Sequence, residues 1–344
     1  MTKTILFPIS NAGGSIYLIK SFQKIGYRVV AGDATPFAIG RYIADAFYQL
    51  PWRNDPEYTN AILNIIQKEN IDVYVTSGEQ EALDVSRARE KYLQMGCTPT
   101  AANNKTMELA VDKCSLFDFL KKEVDIPLPL FQIVENIDDF EKGLEKLKGL
   151  RICMKPAVAA GSRGFVVVDE KPMDPNIIFN GRFTYPTVTP MYVRESMAKG
   201  AVPKMIMMEF LDEGTNLNAG IVGKNGELVY SSLHTREAVK DGLSTRGRIL
   251  VNNEIVEFNR RIAKALDLTG YVVAQYIGNK IIEINPRWST SIIHNSINEF
   301  MMGIQVWTGE PITIDPDDER THQTLTYERY YETHIHDQEG REFD

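Results

Sequence analysis

The sequence predicts an α/β start followed by an α+β body, and three stretches carry that prediction. The first hundred residues alternate short apolar runs with helical patterns. A glycine-rich loop, Gly161-Ser162-Arg163-Gly164, joins two apolar runs, one ending at Lys155 and the other opening at Phe165. Late in the chain, Lys280–Asn285 is an apolar run broken only by Glu283 and Asn285 at alternate places. Strand-helix-strand spacing implies a parallel sheet wrapped by helices, whereas the later runs, joined by short turns, imply antiparallel pairs.

Ile5–Ile9 reads as the first strand. Asn11-Ala-Gly-Gly-Ser15 follows, then a helix with Ile16, Leu18, Ile19, Phe22 and Ile25 on its apolar stripe and Gly26 at its end. Arg28–Ala31 is the next strand, Tyr58–Glu69 a helix, Asp72–Thr76 a strand, and a further helix starts at Glu79. The first loop lacks Gly-x-Gly-x-x-Gly spacing, which argues against a nicotinamide dinucleotide site.

Composition narrows the classes. At 344 residues the chain is long enough for two or three domains. A formal charge of −8 argues against a nucleic-acid binder, so any attraction for a polyanion must be local. No apolar run approaches membrane-spanning length, and Met1-Thr-Lys-Thr leads into a strand rather than a signal peptide. Cys97, Cys114 and Cys153 fit no disulfide or zinc spacing and read as free thiols in a reducing, cytoplasmic setting.

Asn103–Lys122 is a polar turn leading into helix, with Asp112-Lys113 at the entry of its second part and Leu116, Phe117 and Leu120 as its buried stripe. Arg151–Pro156 is a strand ending in Lys155, placed to bridge phosphates as a point charge. The small residues and glycines that follow let a backbone approach phosphate oxygens closely, although an ordinary glycine-rich hairpin would read alike. Asp174–Pro190 reads as a loop insertion and Tyr192–Lys199 as a short helix. Lys204–Leu211 is a buried strand running into a turn at Gly214. Asn225-Gly226 marks a hairpin. Arg236, Arg246 and Arg248 lie in a polar segment beyond it, either as carboxylate- or phosphate-recognising forks or as ordinary surface charge. Asn252–Leu266 is an amphipathic helix with Ile255, Phe258, Ile262, Ala265 and Leu266 on one face. Val272–Tyr276 and Lys280–Asn285 pair across Gly278-Asn279, which brings Gln275 beside the second strand.

Strand side chains alternate, so Glu283 and Asn285 share a face. A carboxylate and a carboxamide there offer hard oxygen ligands suited to Mg²⁺. Pro286 stops the ladder and Arg287 adds a permanent cation just past it. His294 reads as a structural or capping residue. The acidic run Asp315–Glu319 and the tail after it carry no motif.

These residues resemble the ATP-grasp superfamily, and the wording from Gln275 through Asn285-Pro-Arg287-Trp-Ser-Thr-Ser291 is similar to the carbamoyl phosphate synthetase large-subunit branch. The resemblance implies an ATP-grasp fold with an N-terminal Rossmann-like domain over 1–110, a small lid subdomain over 111–205 and a larger subdomain over 206–344. It implies that Gln275, Glu283 and Asn285 hold two Mg²⁺ ions (with Mn²⁺ as an alternative) and that Arg287 faces the transferred phosphate. Lys113 and Lys155 would grip the nucleotide, under a flap made by Gly161, Ser162 and Gly164. Arg163 departs from the small residues usual in that flap. Glu209, Phe210 and Leu211 would line the adenine. Where the usual pattern has a ribose-binding Glu, this chain has Asn216, and Glu213 is a candidate stand-in.

The resemblance further implies ATP-dependent ligation. A carboxylate is activated as an acyl phosphate and captured by an amine, with Arg287 and Lys155 as the catalytic residues and Arg287 and one of Arg236, Arg246 and Arg248 meeting the acid. The expected partners are a small carboxylate and a small amine, with no nucleic acid and no membrane. A homodimer is compatible with the sequence, and nothing in it fixes the oligomeric state. Two alternatives stay open: a carbamate- or bicarbonate-activating enzyme, and a non-catalytic ATP-binding sensor.

Overall fold

A run such as Thr4–Phe7, buried from end to end, belongs to a strand covered on both faces. Strands β1 (Thr4–Phe7), β2 (Arg28–Asp33), β3 (Ala46–Gln49), β4 (Val73–Tyr74) and β5 (Thr98–Pro99) form one sheet in the order β3-β2-β1-β4-β5. Every pairing in it is parallel. Helices Ser15–Lys24, Tyr58–Glu69 and Glu79–Arg87 supply crossovers, a doubly wound, Rossmann-like arrangement. The first helix stops at Lys24. Ile25, expected on its stripe, is therefore the cap residue and is 47% exposed, and Gly26 takes φ +91° to turn the chain.

The computed structural model describes residues 3–11, 14–76, 78–159, 161, 163–171, 185–240, 243–288, 298–312, 325–329, 335–337 and 342–343. Ser162, Ser289–Ser291, His294, most of the 174–190 loop, the Asp315–Glu319 run and much of the tail lie outside them. The chain divides into two units. Unit 1 is Met1–Met107, Leu217–Ala274 and Ile284–Asp344, and unit 2 is Glu108–Asn216 with Gln275–Glu283. No helix among the described residues is long and apolar enough to cross a membrane.

Unit 2 is built on β6 (Phe131–Val134), β7 (Ile152–Pro156), β8 (Val166–Val168), β9 (Thr187–Val188) and β10 (Met205–Glu209), in the order β6-β10-β7-β8-β9. Alternation sorts the apolar side chains to the two faces. Ile152, Met154, Met205 and Met207 pack with Phe140 and Val193 on one side. Cys153, Ile206 and Met208 pack with Cys114 and Phe117 on the other. Lys155 shares the parity of Cys153, so it projects on the side of helix Lys113–Glu123. That helix begins where its cap dictates, because Asp112 accepts from the Ser115 N–H at 3.0 Å. Leu116, Phe117 and Leu120 are fully buried, as the stripe requires.

In unit 1 a larger sheet carries β11 (Asn216–Lys224), β12 (Glu227–Ser231), β13 (His234–Thr235), β14 (Ala238–Lys240), β15 (Leu243–Ile249), β16 (Gly270–Ile277), β17 (Lys280–Asn285) and β18 (Leu325–Glu328). Its main path is β14-β15-β13-β11-β16-β17, with β12 on β11 and β18 on β15. The turn-proximal ends of β16 and β17, residues 275–283, belong to unit 2. Asn225 and Gly226, at φ +52° and +76°, make the hairpin turn between β11 and β12. The polar stretch holding Arg246 and Arg248 is a strand, β15, paired on both sides, because the returning tail strand β18 covers its edge. Helix Asn253–Ala265 is capped by Asn252, which accepts from Glu254 and Ile255 N–H. The unit's core joins Ile5, Phe7 and Phe22 to Tyr271, Phe300 and Met302.

Candidate active site

Three charged side chains of unit 2 meet beside the glycine-rich loop. Lys113 is 6% exposed, and its backbone N–H donates to Ala157 O at 2.8 Å. Its ammonium donates to Ala159 O at 2.7 Å and stands 3.5 Å from Glu283 Oε1. Lys155 lies opposite Ile206 in the β7–β10 ladder, with its ammonium 5.9 Å from the centre of the Phe165 ring. Burial pulls the Lys155 pKa below its ordinary value. Glu283 and Cys153 oppose that shift, and Lys113 adds to it. Two ammonium groups against one carboxylate leave an excess positive charge, the electrostatic requirement for holding a polyphosphate.

The loop between Lys155 and Phe165 needs its glycines. Gly161 and Gly164 sit at φ +65° and +71°, in the left-handed region, and a Cβ on Gly164 would come within 2.6 Å of Pro156 Cγ. Arg163 is exposed.

At the far end of β10, Glu209 pairs with Lys280, and its N–H donates to Leu130 O at 2.9 Å. Phe210 N donates to Arg151 O at 2.7 Å, and the Arg151 guanidinium lies 4.3 Å above the Phe210 ring. Phe165 and Tyr185 complete an aromatic group there, with ring centres 4.7 Å apart and each about 6 Å from Phe210. Leu211 is half-buried and Glu213 exposed. Sequence reasoning passed over Lys280, Phe165 and Tyr185. Phe165 carried a local hint, an aromatic opening the strand after the loop, but a Lys280–Glu209 pair has no local signature.

Gln275 and Asn216 are hydrogen-bonded, with Gln275 Nε2 donating to Asn216 Oδ1 at 3.0 Å. That bond uses the Gln275 amide nitrogen and leaves its carbonyl oxygen out of the contact with Asn216. Within unit 2, Glu283 carries a carboxylate and Gln275 an amide oxygen, hard donors of the kind that suit Mg²⁺. Among the described residues no trio of His, Cys, Asp or Glu gathers in a metal-like cluster. Asn285 ends β17 two places beyond Glu283 and falls in unit 1, as does Arg287. Arg287 donates to Trp288 O at 3.0 Å and stands 3.5 Å from Glu79 Oε1.

Of the three arginines after the hairpin, Arg248 is engaged by Glu237 at 2.7 Å on the surface. Arg246 is exposed opposite Glu328 in the β15–β18 ladder. Arg236 is half-buried beside His234 and belongs to unit 1.

Comparison with known proteins meets this geometry. Residues 8–100 match the model of the PylC-like N-terminal domain. The biotin carboxylase of Campylobacter jejuni, solved with β,γ-ATP, superposes with a TM-score of 0.67 at 15% identity, covering 90% of this chain and 72% of that one. The chain has the ATP-grasp fold. N5-carboxyaminoimidazole synthetase of Staphylococcus aureus with ADP superposes with a TM-score of 0.64 at 18% identity, over 91% and 80% of the two chains. By sequence the ATP-grasp chain resembles one synthetase unit of the arginine-specific carbamoyl phosphate synthase large chain of Geobacillus stearothermophilus. That likeness is 22% identity over 288 residues, spanning 81% of this chain and 25% of the relative, so this chain covers about a quarter of that protein. The formate-dependent phosphoribosylglycinamide formyltransferase of Prochlorococcus marinus is 24% identical over 324 residues, 90% of this chain and 77% of the relative.

Proposed function

We propose that the protein is an ATP-dependent carboxylate–amine ligase, and the observation that carries the proposal is the convergence of Lys113 and Lys155 on Glu283 beside the 161–164 loop. In this reading Lys113 and Lys155 grip the triphosphate of ATP. Gly161 and Gly164, with Ser162, present backbone N–H groups to its outer phosphates. Gln275, Glu283 and Asn285 would hold Mg²⁺, as two ions, with Mn²⁺ able to replace them. When bound, the metal neutralises charge on the phosphates and draws electron density from the γ-phosphorus. Phe210 and Leu211 pack the base.

The substrate's carboxylate oxygen attacks the γ-phosphorus, the bridging P–O bond to ADP breaks, and an acyl phosphate results. The amine nitrogen then attacks the acyl carbon, expels phosphate and loses a proton, leaving an amide. No side chain forms a covalent bond in this sequence. The protein's contribution is positioning and fixed charge, with Arg287 assigned to the transferring phosphate. Domains 1–110, 111–205 and 206–344 would serve as substrate support, lid and metal-bearing body.

Amine-dependent release of ADP and phosphate from pooled small carboxylates and amines tests the proposal. ADP release that needs the acid but no amine would point to bicarbonate- or carbamate-type activation instead. A second reading, an ATP sensor without turnover, draws on Asn216. Its amide stands where a charged ribose ligand is expected and is already engaged by Gln275. ATP binding with no ADP formed under any acid and amine would favour it.

A further inference from the structure

The turn that joins β16 to β17 is anchored within unit 2, although Leu217–Ala274, the stretch leading to it, belongs to unit 1. At the turn, Gly278 takes φ +61° and its N–H donates to Thr215 O at 2.9 Å. Gly214, at φ +112°, lies so close that a Cβ on it would stand 2.9 Å from Gly278 N and 3.2 Å from Gly278 Cα. The two backbones meet there only because Gly214 carries no side chain. Side chains add ion pairs of opposite sense. Lys280, the first residue of β17, sends its ammonium to the carboxylate of Glu209, the last residue of β10. Three places on, Glu283 offers its carboxylate to the ammonium of Lys113 at 3.5 Å.

The strand thus gives a cation at one end and an anion at the other. Exchanging the ends would set Lys280 against Lys113 and Glu283 against Glu209, like charge against like. A slip of one residue would turn Glu283 to the opposite face. The Glu209 side chain is only 11% exposed, so its carboxylate is largely withdrawn from water beside the Lys280 ammonium. Desolvation offsets most of the attraction in such a pair, so its net stabilisation is small. Losing one partner is costly, and fixing register is the best-attested use of such pairs. The location of this pair gives it meaning. Glu209 leads directly into Phe210 and Leu211, the turn assigned to the base, and Lys280 leads within three residues to the carboxylate assigned to the metal.

We propose that Lys280 is a positioning residue: its pair with Glu209 registers the strand that bears Glu283 against the base-packing turn, so that nucleotide and divalent cation reinforce each other's binding. Two ligands reinforce one another when each favours the same arrangement of the protein, and a strand held in register by both ends is such an arrangement. The inference rests on the nucleotide and metal assignments of the ligase reading and not on turnover.

The test uses the full chain with ADP as the probe, titrated by calorimetry once with excess Mg²⁺ and once with EDTA. The ratio of the two dissociation constants is the gain in affinity that the metal brings. Lys280→Met should cut the wild-type gain by about tenfold or more, while ADP binding in EDTA changes far less. A lysine that only helped the protein to fold would lower the melting temperature and leave the gain as it was. Lys280→Arg keeps the charge and should keep most of the gain. Near-UV circular dichroism checks folding. If Lys280→Met does not fold, Glu209→Gln decides by the same ratio, since it removes the charge at the other end of the pair. An unchanged gain in the deciding variant, a loss as large in Lys280→Arg, or no gain in the wild type overturns the proposal. A gain that Lys280→Met abolishes, in a protein that never releases ADP from ATP, overturns the ligase reading alone. Amine-dependent turnover with an unchanged gain in Lys280→Met overturns the positioning role alone.

Discussion

Lys113 Nζ stands 3.5 Å from Glu283 Oε1, although one residue opens a helix and the other lies near the end of a late strand. The ammonium is almost wholly buried, and Glu283 is its carboxylate partner. In the proposed site Glu283 exchanges this contact for the cation that accompanies ATP, so the pair holds the carboxylate in place beforehand. Glu283→Gln is therefore expected to lower ADP formation by roughly a hundredfold or more. It should also cost the free protein about 1–3 kcal/mol, because a buried ammonium loses its anion. Steady-state ADP release and urea unfolding check the two effects. Unchanged turnover would remove the basis of the ligase proposal.

Lys155 is expected to behave in the opposite way. Its depressed pKa means that the free protein holds that charge at a cost. Lys155→Met should leave the melting temperature unchanged or raise it, while weakening ATP binding by about tenfold or more. Thermal melts with and without ATP separate the two terms.

The two loop glycines should differ. Gly161→Ala meets no neighbouring atom and incurs only the left-handed backbone cost, about 1–2 kcal/mol locally. Gly164→Ala adds a collision with the Pro156 ring and must reshape the loop. ATP affinity, measured by calorimetry, should fall further for Gly164→Ala than for Gly161→Ala. Equal effects would mean that the loop does not hold its shape around the phosphates.

Asn216 is expected to act through Gln275. Asn216→Ala removes the acceptor at 3.0 Å and lets the Gln275 amide rotate. The Mg²⁺ concentration that half-saturates ATP turnover should then rise by roughly three- to tenfold. If KM for ATP rises instead, with metal dependence unchanged, Asn216 serves the nucleotide directly.

A buried acid in unit 1 sets a pH dependence. Burial pushes the Glu299 pKa up to about 7, against the Ser232 and Tyr271 hydroxyls that donate to it. The folded carboxyl thus binds its proton more tightly than the unfolded one, whose pKa is 4.5. Its contribution to stability is fully present below 4.5 and is lost as pH rises to about 7. Glu299→Gln should flatten the stability–pH curve across that window and raise stability at pH about 8 by roughly 1–3 kcal/mol. Chemical denaturation at several pH values reads this directly.

Much of this architecture was legible locally. Asp112 and Asn252 announce the helices they cap, the alternation of β17 puts Glu283 and Asn285 on one face, and Asn225-Gly226 makes its hairpin. Gly161 and Gly164 mark a loop whose left-handed backbone favours glycine. Each of these follows from φ/ψ preference, capping or strand parity, properties carried by a few neighbouring residues. The pairings that give the molecule its chemistry are of another kind. Nothing near Lys113 names Glu283, nothing near Asn216 names Gln275, and nothing near Glu209 names Lys280. Burial and periodicity specify which face of an element turns inward, but not which distant face it meets. Only the packed sheets and helices decide that, because contact between remote segments depends on how all the elements close on their shared cores.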